Sequence, residues 1–207
     1  MHLLLTDRLT CPRCGPHFSL VLMADDLADR RVREGKLGCF NCREEYPVRK
    51  GVGDLRPPPR DPPPSPEGSP EDDAEGALRL AAFLGVKEGP GHLLLVGECA
   101  AHAERLAAMI EEIEVVAVHP GLEGREEIEG VSRIRMGPRI PLQQYATRGV
   151  ALEGDAVGIY LDEALRVLGP QGRIVLFGAD PDPSVRLEEA GLEVLLRTER
   201  VLVAGRG

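Results

Sequence analysis

Cys11-Pro12-Arg13-Cys14 and Cys39-Phe40-Asn41-Cys42 place four thiols in two C-x-x-C turns. Each turn presents two sulfurs to one side, and a tetrahedral zinc ion takes four soft ligands at about 2.3 Å. Zinc ligation by Cys11, Cys14, Cys39 and Cys42 is the chemistry that fits this spacing best. Two disulfides, a redox pair, or iron on the same four sulfurs are the alternatives, and the second C-x-x-C pair weighs against the redox reading. His2 and His17 stand near the first turn, but four cysteines already complete a tetrahedron. The fifth cysteine, Cys99, lies far off in an apolar context, and the sequence identifies no base for it.

Strands must hold those turns. Leu3 to Thr10 reads as a short strand leading into the first turn, and His17 to Met23 as a strand by its β-branched and aromatic content. Ala24 to Glu34 is charged with few apolar positions, which predicts a short surface helix stopped by Gly35. The stretch to residue 56 holds ten Lys/Arg against eight Asp/Glu, a formal +2 that four thiolates and a zinc ion bring near neutrality. A module this small, with few large apolar residues, depends on its metal to fold. Residues 57–73 are rich in Pro, Asp and Glu and build no core. They predict an acidic spacer in polyproline II, spanning on the order of 50 Å.

A second domain is expected over residues 74–207. Glu75 to Leu84 carries a helical apolar stripe ended by Gly85. His92 to Gly97 and Glu114 to Pro120 are continuous apolar runs of the kind buried parallel strands show. Ala100 to Ile113 reads as a helix, Val131 to Met136 as a weaker third strand, and Gly149 to Val157 as the site of a fourth. Ile159 to Leu168 is an amphipathic helix and Arg173 to Gly178 a fifth strand. Ser184 to Ala190 is helical, and Leu192 to Leu196 with Arg200 to Ala204 forms a closing antiparallel pair. Strands alternating with helices indicate a doubly wound α/β sheet.

Two resemblances follow from particular residues. Cys11-Pro12-x-Cys14, with Cys39-x-x-Cys42-x-x-x-Tyr46-Pro47-Val48-x-x-Gly51-Val52, resembles the zinc-ribbon activator family of tRNA and release-factor methyltransferases and its small stand-alone bacterial relatives. It covers about residues 3 to 56. The Ala24 to Glu34 segment is longer than in the shortest relatives, and Gly53 stands where a proline is common. From about 74 to 205 the element order resembles the class I methyltransferase fold, most recognisably at Tyr160 to Leu176. The fold class expected is therefore α/β: a β-rich zinc ribbon (1–56), a Pro-rich acidic linker (57–73) and a Rossmann-like sheet of the class I methyltransferase type (74–207). The activator resemblance implies that the ribbon adds a strand to a methyltransferase-like sheet, in this chain or a partner. Val131 to Met136 would offer the edge, in an intramolecular or swapped arrangement.

In such a fold the ligand sits at the carboxyl ends of the strands. The loop after the first strand is Gly97-Glu98-Cys99-Ala100-Ala101-His102, where several glycines would normally let backbone amides approach S-adenosylmethionine. Only Gly97 is present. The end of the second strand is His119-Pro120 instead of an acid, and a neutral imidazole offers one acceptor nitrogen to the two ribose hydroxyls. Binding of S-adenosylmethionine is expected to be weak or lost; if the domain is active, Gly97, Glu98, His119 and Pro120 line the cofactor pocket. Two function classes stand side by side. One is a zinc-binding, non-catalytic interaction or regulatory protein on a methyltransferase-like scaffold. The other is an S-adenosylmethionine-dependent methyltransferase with its activator ribbon fused in cis.

Composition narrows the partners. The net charge is -9, aromatics are 3% and tryptophan is absent, which disfavours direct nucleic-acid binding by stacking or by a basic face. The sequence shows no secretory signal and no apolar run of membrane-spanning length, so a cytoplasmic protein without a membrane partner is expected. A protein partner, the chain's own second domain, or a homodimer is expected to engage the ribbon.

Overall fold

The computed structural model describes residues 1–60, 71–122, 124–179 and 182–206. After a one-turn helix α1 (Leu3–Thr6), five strands follow in an antiparallel meander: β1 (Thr10–Cys11), β2 (Gly15–Ala28), β3 (Arg31–Cys39), β4 (Glu45–Arg49) and β5 (Val52–Leu55). The second half runs α2 (Ala74–Leu84), β6 (Glu88–Val96), α3 (Ala103–Met109), β7 (Glu111–Val118), β8 (Val131–Met136) and β9 (Thr147–Glu153). It continues with α4 (Asp155–Val167), β10 (Leu168–Phe177), α5 (Ser184–Glu189), β11 (Glu193–Arg197) and β12 (Val201–Gly205).

All twelve strands join one sheet in the order β1-β2-β3-β4-β5-β8-β7-β6-β9-β10-β12-β11. From β8 to β10 the strands are parallel, with the winding reversed between β6 and β9, and β12 runs antiparallel to both its neighbours. This is a doubly wound sheet of the class I methyltransferase type. The apolar runs make it so: successive residues of a parallel strand face opposite layers, and both layers are covered. Leu93, Leu95, Val115 and Ala117 pack with Leu80 and Leu84 of α2 and Leu106 of α3. Leu94, Val96, Val116 and Ile134 face the other layer, with Ala156 and Val157 of α4 and Leu187 of α5.

The ribbon completes that second layer. No helix forms between β8 and β9; residues 137–146 connect them as irregular chain, bent at 138–139 and turning at 144–145, with Ile140 and Leu142 buried. The opening segment of the ribbon lies along this crossover. The Thr10 amide donates to the Pro141 carbonyl at 3.0 Å, the Gln143 amide donates to the Arg8 carbonyl at 2.9 Å, and Leu9 bridges Leu142. Leu5 and Leu9 thereby enter the same core as Val116 and Ile134. At the other side of the ribbon, β5 pairs in parallel with β8, Val52 opposite Arg133 through Leu55 opposite Met136. A buried ion pair fastens the seam: Arg31 contacts Glu114 at 3.3 Å and Glu127 at 3.0 Å, and also bonds the Val131 carbonyl.

Several local expectations are corrected. Leu3 to Thr10 is not a strand; its first residues form α1, closed by the Thr6 hydroxyl donating to the Leu3 carbonyl at 2.7 Å. Ala24 to Glu34 is not a helix but the tip of the β2–β3 hairpin. Asp29 and Arg30 both take positive φ, 50° and 61°, giving a two-residue turn whose twist suits antiparallel strands. Pairing then buries Val32 and delivers Arg31 to Glu114, and that tertiary gain overrides the weak local preference. The segment from Ala100 to Ile113 is shorter as a helix than expected: a 3₁₀ turn occupies Glu98–His102, and Ile113 already lies in β7.

The Pro-rich spacer falls mostly at 61–70, outside the described residues. Its near end is held by Arg60, whose guanidinium lies 5.1 Å from the centre of the Tyr46 ring. At its far end Asp73 caps α2, its carboxylate accepting from the Gly76 amide at 2.6 Å.

Candidate metal centre and the carboxyl end of the sheet

Cys11 ends β1 and Cys14 sits in the turn before β2; Cys39 ends β3 and Cys42 sits in the turn before β4. The hairpin pairing thus carries the two C-x-x-C turns to one place. Among the described residues these four are the cysteine, histidine and acidic cluster placed to hold a metal, with the sulfurs all within 4.8 Å of one another. Cys11 Sγ lies 3.7 Å from Cys42 Sγ, and Cys39 Sγ lies 3.9 Å from Cys14 Sγ. A tetrahedron of sulfurs around zinc has edges of about 3.8 Å, from bonds of about 2.3 Å. All four thiols are free. His2 and His17 do not join the group.

Hydrogen bonds surround the sulfurs. The Cys14 amide approaches Cys11 Sγ at 3.4 Å, the Asn41 side-chain amide donates to Cys14 Sγ at 3.3 Å, and the fully buried Tyr46 places its hydroxyl 3.4 Å from Cys11 Sγ. Burial opposes ionisation of Cys11, yet the Tyr46 hydroxyl and the Cys14 and Arg13 backbone hold its thiol down to about 7. Burial pushes the Cys42 thiol up to about 12. Gathering four thiolates here therefore takes a cation to offset their repulsion. Phe40, at the tip of the second turn, is 80% exposed.

The second group forms where the sheet's winding reverses. Gly97 follows β6 with φ 94°, and a β-carbon there would lie 2.7 Å from the Glu153 carbonyl oxygen, so glycine is required. Glu98 Oε1 lies 3.2 Å from His119 Nε2, and His119 Nδ1 accepts from the Gly121 amide at 3.0 Å. That bond leaves the proton on Nε2, so His119 donates to Glu98. Pro120 opens the short 3₁₀ turn that follows. The structure brings Gly97, Glu98 and His119 together at the carboxyl ends of β6 and β7.

A further residue belongs here. Glu153 ends β9 beside Gly97; burial raises its carboxyl above the usual range, and it accepts a hydrogen bond from the Cys99 backbone. The sequence reading runs the fourth strand on to Val157, which hides Glu153 as a strand end; the Glu153-Gly154-Asp155 break is the signal that marks it. Cys99 itself is buried, its thiol directed at the Val96 and Ala151 carbonyls at 3.5 and 3.7 Å and pushed up by burial, so it is no nucleophile. Asp162 pairs with Arg186 at the exposed surface, and Glu163 pairs with Arg166 at 2.9 Å.

No protein-family model and no curated protein matches the chain. Among solved structures it is similar to a tRNA methyltransferase from Aquifex aeolicus, at 12% identity and TM-score 0.49, over 67% of this chain and 70% of that one. It is similar to a precorrin-6y C5,15-methyltransferase from Geobacter metallireducens, at 12% identity and TM-score 0.46, over 67% and 91% of the two chains. A third is an S-adenosylmethionine-dependent O-methyltransferase from Thermotoga maritima, at 12% identity and TM-score 0.45, over 68% of each chain. The strand order, not these likenesses, carries the fold assignment. No helix among the described residues is long and apolar enough to cross a membrane.

Proposed function

We propose that this chain is a zinc-bound, non-catalytic interaction or regulatory protein built on a methyltransferase-like scaffold. One observation carries the reading: the groups at the cofactor end of the sheet are engaged with each other. His119 donates to Glu98, so the strand end that would accept both ribose hydroxyls of S-adenosylmethionine presents an N–H already used. The Cys99 backbone in the loop after β6 is bonded to Glu153, so an amide that the methionine carboxylate of that cofactor would use is already engaged. Sulfur spacings of 3.7 and 3.9 Å support zinc as the ribbon's metal. The exposed Phe40 at the tip of the second turn supports a protein partner at the ribbon.

Calorimetric titration of the full chain with S-adenosylmethionine tests the reading. Binding weaker than about 10 μM, equivalent to roughly 7 kcal/mol, is expected. Tighter binding overturns it in favour of the second reading, an S-adenosylmethionine-dependent methyltransferase carrying its ribbon in cis. That alternative is favoured by the complete methyltransferase strand order with a ribbon strand on its edge. Elemental analysis should find one zinc per chain; iron at full occupancy, or no metal, overturns the zinc assignment.

A further inference from the structure

A cavity lies at the opposite end of the sheet from Gly97. It holds about 1020 Å³ and opens at the amino ends of β6, β7, β9 and β10. Its wall is shared: His2, Leu4, Asp7 and Arg8 come from the ribbon's opening segment, and the rest from the sheet and its loops. It is therefore a seam between the two halves, and ligand pockets favour such seams.

Its polar lining is unevenly compensated. Three guanidinium groups face it, from Arg8, Arg148 and Arg173. Arg148 donates to the Glu88 carbonyl and Arg173 to the Phe83 carbonyl, neutral acceptors that leave both charges standing. Arg8 has no ion-pair partner among the described residues. Three carboxylates also line the cavity, from Asp7, Glu112 and Glu114, but Glu114 is consumed by Arg31 and the Ser132 hydroxyl. Three cations then stand against two carboxylates without an ion-pair partner among the described residues, in a chain whose net charge is -9. Two imidazoles line the same cavity, and among the described residues His2 Nδ1 and His92 Nε2 are buried without a hydrogen-bond partner, a state that calls for a ligand or water.

The backbone is shaped for this lining. A β-carbon at Gly91 would lie 2.5 Å from Arg148 Cδ, so glycine there lets the arginine stem run close to the backbone, and Gly85 is the left-handed C-cap of α2 at φ 66°. Glu112 and Tyr145, which also line it, are held at φ 56° and 59°, a left-handed conformation that non-glycine residues keep chiefly where the surroundings enforce it. Leu84, Val86 and Pro90 supply an apolar wall.

We propose that this seam cavity binds a small organic oxyanion, one carboxylate or phosphate on an apolar body, with Arg8 and Arg148 clasping the oxyanion and the apolar wall taking the body. Guanidinium groups hold carboxylate and phosphate through paired N–H donors. The site is independent of the cofactor end and does not rest on the function proposed above.

Titrations of the full zinc-bound chain with benzoate, phenyl phosphate and inorganic phosphate, followed by calorimetry and by the imidazole proton resonances of His92, test this. Benzoate or phenyl phosphate should bind with Kd on the order of 1 mM or tighter. Which of the two is tighter identifies the preferred oxyanion. Inorganic phosphate, lacking the apolar body, should bind at least about tenfold more weakly than the better of them. Arg8→Gln and Arg148→Gln, both at exposed positions, should each weaken binding by about tenfold without loss of zinc. No saturable binding of either aromatic probe overturns the proposal. So does binding that both substitutions leave unchanged, or inorganic phosphate binding as tightly as the aromatic probes.

Discussion

At the scale of single residues, Tyr46 does more than fill space. Its ring is wholly buried, and its hydroxyl reaches Cys11 Sγ at 3.4 Å. A hydrogen bond to a ligand sulfur steadies the thiolate and orients it, so Tyr46→Phe should keep the fold and lower zinc affinity by about tenfold. Competition with a chromogenic chelator measures it; an unchanged affinity would show that the hydroxyl only packs. Arg31 is the second such residue. Its guanidinium and the Glu114 carboxylate are both about nine-tenths buried, at 3.3 Å. Arg31→Ala strands a buried carboxylate and should cost about 3–5 kcal/mol in urea unfolding. The double substitution Arg31→Met with Glu114→Leu should recover most of that loss, because it removes both charges together.

At the scale of elements, the ribbon's opening segment takes the place of a helix. Between β8 and β9 the chain provides no helix to cover Val116 and Ile134, and α1 with Leu9 lies there instead. The ribbon is thus a layer of the domain and not only an appendage on its edge. Leu9→Ala, at a fully buried position, should destabilise the molecule by about 2–5 kcal/mol. Native-state hydrogen exchange should show the loss spreading to amides of β7 and β8. If faster exchange stops at the ribbon's own strands, the shared core does not couple the two halves.

At the scale of the whole molecule, the seam makes stability depend on acid. Burial opposes ionisation of Asp54, but Arg56, and then Arg135 from β8, hold its carboxyl below the usual range. Glu127 is likewise depressed against its burial, by the terminal ammonium, Arg31 and Arg33. A depressed carboxyl contributes stability that is complete above its unfolded value, about 3.9 for Asp and 4.3 for Glu. That contribution is lost as pH falls through the lower folded values. Thermal unfolding midpoints should therefore hold steady above pH ~5 on account of these groups and drop below pH ~4. Asp54→Asn and Glu127→Gln should flatten the drop. A midpoint equally acid-sensitive in both variants would place the sensitivity elsewhere.

The chain's own order of residues determines whatever depends on near neighbours. Two C-x-x-C turns set the ligand type, because each pair of sulfurs is placed by a local turn. The runs at Leu93–Val96 and Val115–Val118 mark buried parallel strands, because a strand covered on both faces needs apolar side chains in succession. The alternation of these runs with helices marks a doubly wound α/β sheet; the spatial order of its strands is fixed only by tertiary pairing. Only tertiary structure decides the rest. The hairpin tip at Asp29-Arg30 lacks the Asn-Gly that marks such turns, and it forms because Arg31 gains Glu114, 83 residues away. Glu153 meets the loop after β6 only because β9 lies beside β6. The seam cavity draws His2 and Arg8 to His92 and Arg148, contacts that no local pattern encodes. Their energies come from pairing and burial between distant segments, which exist only once the twelve-stranded sheet has closed over both halves.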